Sequence, residues 1–429
     1  MTERERDLAV SQLYDRDEKR RLEALAQLEK AMDEGLINFP EASADVNNHI
    51  HTIYSVSPYS PAAAVYRSKL AGLATCGLMD HDSIAGSGEF RAACRSLRMP
   101  GTQGCEIRCS FEDTAFNGRR LNNPDQETMA YVALHAIADR MVPAVTEFLK
   151  PIRERRLARN KKMLEGLNAR LGSPELALDF DRDVRAISEY DHGGEITERH
   201  ICFALAKKLM DQLGAGKALL TYLEERLRLR LSAKQKTLLT DPSNPYYAYD
   251  LLGVFKAEYV PQFFIPAAQE CVPVRDLARF AKEHQICLAY AYLGDVGESV
   301  TGDKKAQRFE DAFLDELMPA LKELGFNAIT YMPSRNTKAQ LRRLIGLCER
   351  YDFFQISGED INQPRQAFIC EALRDPEYAH LYDMAWALIG HERAVDAGES
   401  GLFGDEALRR WPSMTERVKR YRDLALGRR

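Results

Sequence analysis

The chain has no CxxC pair, although it carries nine cysteines in 429 residues. Thiols scattered in this way give no cysteine-ligated zinc motif and no disulfide framework. Reduced, buried thiols and a cytoplasmic setting are expected. Apolar runs of membrane-spanning length are also missing. The opening residues, MTERERDLAVSQLYDRDEKRR, are charged and unlike a signal peptide. No membrane association is expected. Nor is there a large excess of charge: the net value of −5 gives no basis for nonspecific attraction to nucleic acid, so no duplex partner is expected. Internal repeats and low-complexity tracts are absent.

What remains is the composition of a soluble globular protein, 45% hydrophobic and 29% charged. The length allows one large α/β domain with an insertion, or two to three ordinary domains. Residues 1–44 read as an N-terminal helical extension, with Leu8, Leu13, Leu22, Leu25 and Leu28 at helical spacing over 5–35. From 45 to 140 short apolar strands alternate with helices. Ser60-Pro61 starts one helix and Gly72 ends it. Residues 141–265 are dense in Arg and Lys on helix-forming stretches and read as a helical insertion. Alternation resumes over 266–365, with strands predicted at Ile286–Ala291, Asn327–Met332 and Phe353–Ile356. Helices are predicted between them at Ala306–Leu324 and Lys338–Tyr351. Residues 366–429 read as a helical C-terminal region.

The chemistry is concentrated at the ends of the apolar runs. Val46 to His51 alternates as a strand does, which puts His49 and His51 on one face. Asp80 and His81 end a second run, Leu73–Met79. Glu106 follows in Gly104-Cys105-Glu106-Ile107, and His135 ends the run Tyr131–Leu134. Imidazole and carboxylate ligands at successive strand ends point to a metallohydrolase site at the mouth of an α/β barrel.

These residues resemble the motifs of the PHP (polymerase and histidinol phosphatase) superfamily of metal-dependent phosphoesterases. Its His-x-His-Thr motif reads His49-Ile-His51-Thr52, with Ser55 and Ser60-Pro61 after it. Its Thr-Asp-His-Asp motif reads Met79-Asp80-His81-Asp82, followed by Gly86 and Glu89. Gly104-Cys105-Glu106 matches the third anchor, and Gly358-Glu359-Asp360-Ile361-Asn362 the closing motif. Arg199-His200-Ile201 and Tyr259-Val260-Pro261 are similar to the branch that hydrolyses nucleoside monophosphates and short oligonucleotides. The resemblance covers roughly 45–365 and implies a (β/α)7 barrel with metals at the C-terminal strand ends.

By that resemblance His49, His51, Glu106 and Asp360 hold one metal, a donor mixture suited to Zn, Mn or Fe. Glu106 and His135 contribute to a second. There the family's third ligand, a histidine, is replaced by Tyr290 or Tyr292, with Asp295 as a substitute. A third site retains His81 but has Val56 and Asn362 in place of ligands. One to two divalent ions are therefore expected rather than three. His81 or Asp80 is expected to handle protons. Arg199, His200, Lys304, Lys305, Arg335, Asn362 and Arg365 are candidates to bind the substrate and to replace lost metal charge. The expected activity is hydrolysis of a small phosphorylated molecule, possibly a nucleotide, by water activated at the metal. The alternatives are hydrolysis of a non-phosphate bond and a degenerate, non-catalytic binding module.

Overall fold

Short apolar segments with two faces to bury pair here into one eight-stranded sheet. The computed structural model describes residues 2–297 and 307–428. The strands are β1 (Val46–Ile50), β2 (Thr75–His81), β3 (Gly101–Ser110), β4 (Met129–His135), β5 (Val272–Pro273), β6 (Cys287–Ala291), β7 (Ala328–Tyr331) and β8 (Phe354–Ser357). Their order is β1-β2-β3-β4-β6-β7-β8, with β5 beside the end of β3. All but β5 are almost wholly buried, as strands are when helices cover them outside and side chains fill the inside.

The sheet closes between its first and last strands. His51 N–H donates to the Ile361 carbonyl at 2.9 Å, and Ile361 N–H donates to that of His49 at 3.0 Å. Gly358 permits this approach, because a Cβ there would lie 2.7 Å from the His49 nitrogen. The outcome is a nearly closed α/β barrel with helical additions, the fold class expected from the sequence.

One strand breaks the parallel pattern. β4 runs antiparallel to both β3 and β6. Residues 111–128, which lead into it, contain no helix to carry a crossover over the outside of the barrel. The last residue of β4 therefore faces the opposite end of the barrel from the last residues of β1, β2 and β3.

The base is closed by the helix His380–Asp396. Its Glu392 accepts from Thr102 Oγ1 at 2.7 Å and Gln103 N–H at 2.8 Å, at the start of β3. His391 Nε2 lies 2.7 Å from the Gln285 carbonyl, just before β6. Met384, Ala387 and Leu388 meet the inward residues Met79, Ala133, Ala289, Ala328 and Ile356. Alanines on three inner strands leave room for this helix.

The helical stretch 5–35 is two helices, Glu3–Gln12 and Glu18–Asp33, because Asp17 caps the second. Arg21 fastens it to the barrel through a fully buried pair with Glu89 at 2.6 Å. The helix predicted at Ala306–Leu324 begins later, at Leu314, after a tight turn at Glu310–Phe313. Gln307 pairs instead with the backbone of Val296, and Phe309 N–H donates to Asp295 at 2.6 Å. Ala306, Lys304 and Lys305 lie outside the described residues.

The helical segment between β4 and β5, where the insertion is expected, builds its own apolar cluster, in which Met163 and Leu167 pack with Ile201, Leu205, Leu251 and Phe255. Its longest helix, Val142–Leu171, stops at left-handed Gly172. A buried charge network ties that helix to the barrel. Glu270 accepts from Arg156 at 3.2 Å and Arg159 at 2.7 Å, and pairs with Arg108 of β3. Arg156 also meets Asp82, just past β2, at 2.6 Å. All nine cysteines are free and buried. Among the described residues no helix is long and apolar enough to cross a membrane.

Candidate metal centre

The alternation of β1 delivers His49 and His51 to the inside of the barrel, at the end where Gly358 brings the closing segment near. Their Nε2 atoms are 3.2 Å apart. Ligand atoms of His49, His51 and Glu106 all lie within 4.8 Å of one another. Two imidazole nitrogens on one tetrahedral zinc are separated by about 3.3 Å, given Zn–N bonds of about 2.0–2.1 Å. The pair is therefore spaced for a shared cation. Asp360 Oδ1 lies 3.1 Å from His51 Nε2 and extends the donor set. A mixed imidazole and carboxylate set of this kind suits Zn, Mn or Fe better than Ca.

Hydrogen bonds behind the histidines fix how they present themselves. Ser55 Oγ donates to Asp80 Oδ1 at 2.6 Å and lies 3.1 Å from His51 Nδ1. The hydroxyl proton is thus committed to the carboxylate, and the oxygen accepts Nδ1–H. That tautomer leaves the Nε2 lone pair free for a metal. Thr52 adds its backbone N–H and its hydroxyl to Asp80, at 2.7 and 2.6 Å. Asp80 is fully buried and does not line the cavity, so it acts on the site through Ser55.

Burial and mutual contact set the charge states of these groups. Burial lowers the His49 pKa and raises that of Glu106, disfavouring the charged form of each. Burial also disfavours charge on His51, yet its hydrogen bond to Asp360 wins and raises it. Desolvation works against ionisation of Asp360 too, but His51 holds its carboxyl well below the usual range.

His81 Nδ1 lies 3.0 Å from Glu106 Oε2. Burial, then the nearby His51, hold its pKa well below the usual histidine value and favour the neutral ring. His81 lines the cavity together with His49, His51 and Glu106.

His135 is placed differently because β4 is reversed. It pairs across from the Gly104 region, whereas Glu106 faces Ala133. Tyr131, near the start of β4, takes the place at the mouth. His135 does not line the cavity. It is buried, its Nε2 has no hydrogen-bond partner among the described residues, and burial pushes its pKa down to about 3. The structure therefore does not bring His135 to the cavity that His49, His51 and Glu106 line.

The other candidates divide in the same way. Arg199, Arg335 and Asn362 line the cavity. Asn362 donates to Asp360 Oδ1 at 2.7 Å and accepts from Arg199 Nη2 at 3.3 Å. His200, one residue on, does not line the cavity. Its Nδ1 accepts the Thr197 N–H at 3.0 Å and closes a capping box at the start of its helix. Arg365 lies outside, paired with Asp250 at 2.8 Å. Tyr292 reaches the cavity and donates to Asp311 at 2.5 Å, while Tyr290 packs in the outer core. Asp295 accepts from Phe309 N–H at 2.6 Å and is not a cavity residue.

Val56 lines the cavity at φ 102°, a left-handed conformation costly for a β-branched residue. Its side chain packs in the insertion's apolar cluster, which holds it there. Sequence reasoning passed over Lys256, which also faces the cavity. The available signal was a lone lysine in the apolar run Leu251-Leu-Gly-Val-Phe-Lys-Ala-Glu-Tyr-Val260.

No family model matches this chain, and no curated protein matches it. Solved structures do. One is the crystal structure of a "putative metal-dependent phosphoesterase" from Bifidobacterium adolescentis, 20% identical, with a TM-score of 0.51 over 79% of this chain and 96% of that one. Another is an amidohydrolase from Chromobacterium violaceum with bound sulfate and no metal, 19% identical, with a TM-score of 0.49 over 76% of this chain and 90% of that one. At this identity the first likeness is one of fold.

Proposed function

We propose that the chain is a divalent-metal-dependent phosphoesterase of the PHP type, acting on a small phosphorylated molecule. The observation that carries the reading is the convergence of His49, His51 and Glu106 on one point, with Asp360 against His51, on the wall of a cavity of about 230 Å³. A divalent ion held there supplies Lewis acidity and eases deprotonation of water near neutral pH. The chain's own groups do the remaining work. His81, kept neutral by its surroundings, is the base that accepts a proton from water at the cavity wall, and its contact with Glu106 orients the ring. Asp80, acting through Ser55, keeps the His51 lone pair directed inward. Arg199, whose described partners include no carboxylate, favours an anionic substrate over a neutral amide or lactone.

The test is a screen of the full chain, loaded with Mn or Zn, against phosphomonoesters and nucleotides beside an amide and lactone panel. Release of phosphate, lost in His81→Gln with metal content unchanged, is expected. Turnover confined to the amide or lactone panel would contradict the phosphate assignment. No turnover of any substrate by metal-loaded protein would return the chain to a binding role.

A further inference from the structure

The cavity at the metal centre continues into a second one, of about 370 Å³, between the barrel mouth and the insertion. Arg199 and Lys256 line both and so stand at the junction. Arg199 is only 8% exposed, and among the described residues its Nε has no hydrogen-bond partner. Its Nη2 reaches the Asn362 carbonyl at 3.5 Å and side-chain oxygen at 3.3 Å, neither of them a carboxylate. Among the described residues no carboxylate lies within ion-pairing distance of Lys256.

Three of the acids nearby are engaged elsewhere, while Glu359 and Glu258 also line the cavities. Glu198 pairs with Arg159 at 3.4 Å, Glu106 meets His81, and Asp360 meets His51 and Asn362. Asp125 lines both cavities and forms no ion pair with either cation. A buried guanidinium with an unsatisfied donor is costly unless a ligand completes it. A second cation across the same junction makes that ligand a multiply charged oxyanion.

On the same wall Val56, held apolar and left-handed, and the amide of Asn362 offer no charged donor beside His81. Repulsion from Lys256 and Arg199 would further disfavour an additional divalent ion on that side.

We propose that Lys256 and Arg199 form an oxyanion subsite which receives the non-reacting oxygens of the substrate's phosphoryl group. Their fixed charge does there the work a further metal ion would do. The proposal rests on the phosphoesterase reading but is measured apart from turnover.

The probe is inorganic phosphate, titrated calorimetrically into the metal-free full chain and into Lys256→Met and Arg199→Met. Each variant keeps an apolar stem. A loss of at least tenfold in phosphate affinity is expected for each, with Lys256→Arg retaining most of the binding. Metal content after loading, by mass spectrometry, is expected to match that of the unaltered chain. If Lys256→Met folds poorly, Lys256→Gln serves in its place, and protection by phosphate against thermal unfolding replaces the titration. Equal phosphate affinity in the Lys256 variant and the unaltered chain overturns the proposal, as does an unaltered chain that binds no phosphate at millimolar concentration. Phosphate binding that depends on Lys256, in a chain that hydrolyses no phosphoester, upholds the subsite while removing the proposed activity.

Discussion

Asp80 and His51 never touch, yet one hydroxyl joins them: Ser55 Oγ is 2.6 Å from the carboxylate and 3.1 Å from the imidazole Nδ1. The carboxylate thereby governs which ring nitrogen faces the cavity. Outer partners of this kind affect metal affinity by about 10–100-fold. Ser55→Ala is therefore expected to weaken metal binding within that range while leaving the fold intact, as read by competition with a chromogenic chelator. An affinity equal to that of the unaltered chain would separate Asp80 from the site.

The insertion is held to the barrel by charge as well as by apolar packing. Glu270 faces Arg108, Arg156 and Arg159, all buried. Glu270→Gln would take the counter-charge from Arg108, while Arg156 and Arg159 keep Asp82 and Glu198. Breaking a buried ion pair from one side costs about 3–5 kcal/mol. The expected outcome is a loss of that size in denaturant unfolding, with faster proteolysis between 141 and 265. A change below about 1 kcal/mol would show that the apolar cluster alone docks the insertion.

A pH dependence follows from Glu310. It is fully buried, and burial raises its pKa to about 7. Its Oε1 accepts the Leu293 N–H at 2.8 Å, holding the segment after β6 that lines the cavity. Asp311, Tyr290 and Tyr292 surround it and supply no cation. Because the folded pKa exceeds the unfolded one, the folded state binds more protons between about 4.5 and 7. Stability from this group is complete below that window and is lost as pH rises through it. Glu310→Gln keeps the acceptor and removes the charge. Its advantage in unfolding free energy over the unaltered chain is expected to grow from pH 5 to pH 8 by about 3 kcal/mol. A difference independent of pH would contradict the assignment.

The parts legible in the sequence were those with a local period or a dense motif. Alternation in Val46–His51 announced a strand with both histidines on one face, and the structure puts their Nε2 atoms 3.2 Å apart. The barrel class was legible from strand–helix alternation together with the resemblance. The direction of β4 was not, because a strand reads the same in either sense and only its connection decides. That reversal is why His135 lies below the mouth and Tyr131 at it. His200 and Arg199 are neighbours on one helix, and only helix geometry tells the cap from the cavity residue. Lys256 stayed hidden because nothing in a sequence shows which lysine faces a cavity.

The account depends on a divalent cation shared by His49, His51 and Glu106, with Asp360 beside them. The most direct measurement is a crystal structure of metal-loaded protein with data on both sides of the metal's absorption edge. The account predicts an anomalous peak within about 2.0–2.3 Å of nitrogen or oxygen atoms from those side chains. A fully loaded crystal with its peak elsewhere, or with none at the mouth of the barrel, would contradict it.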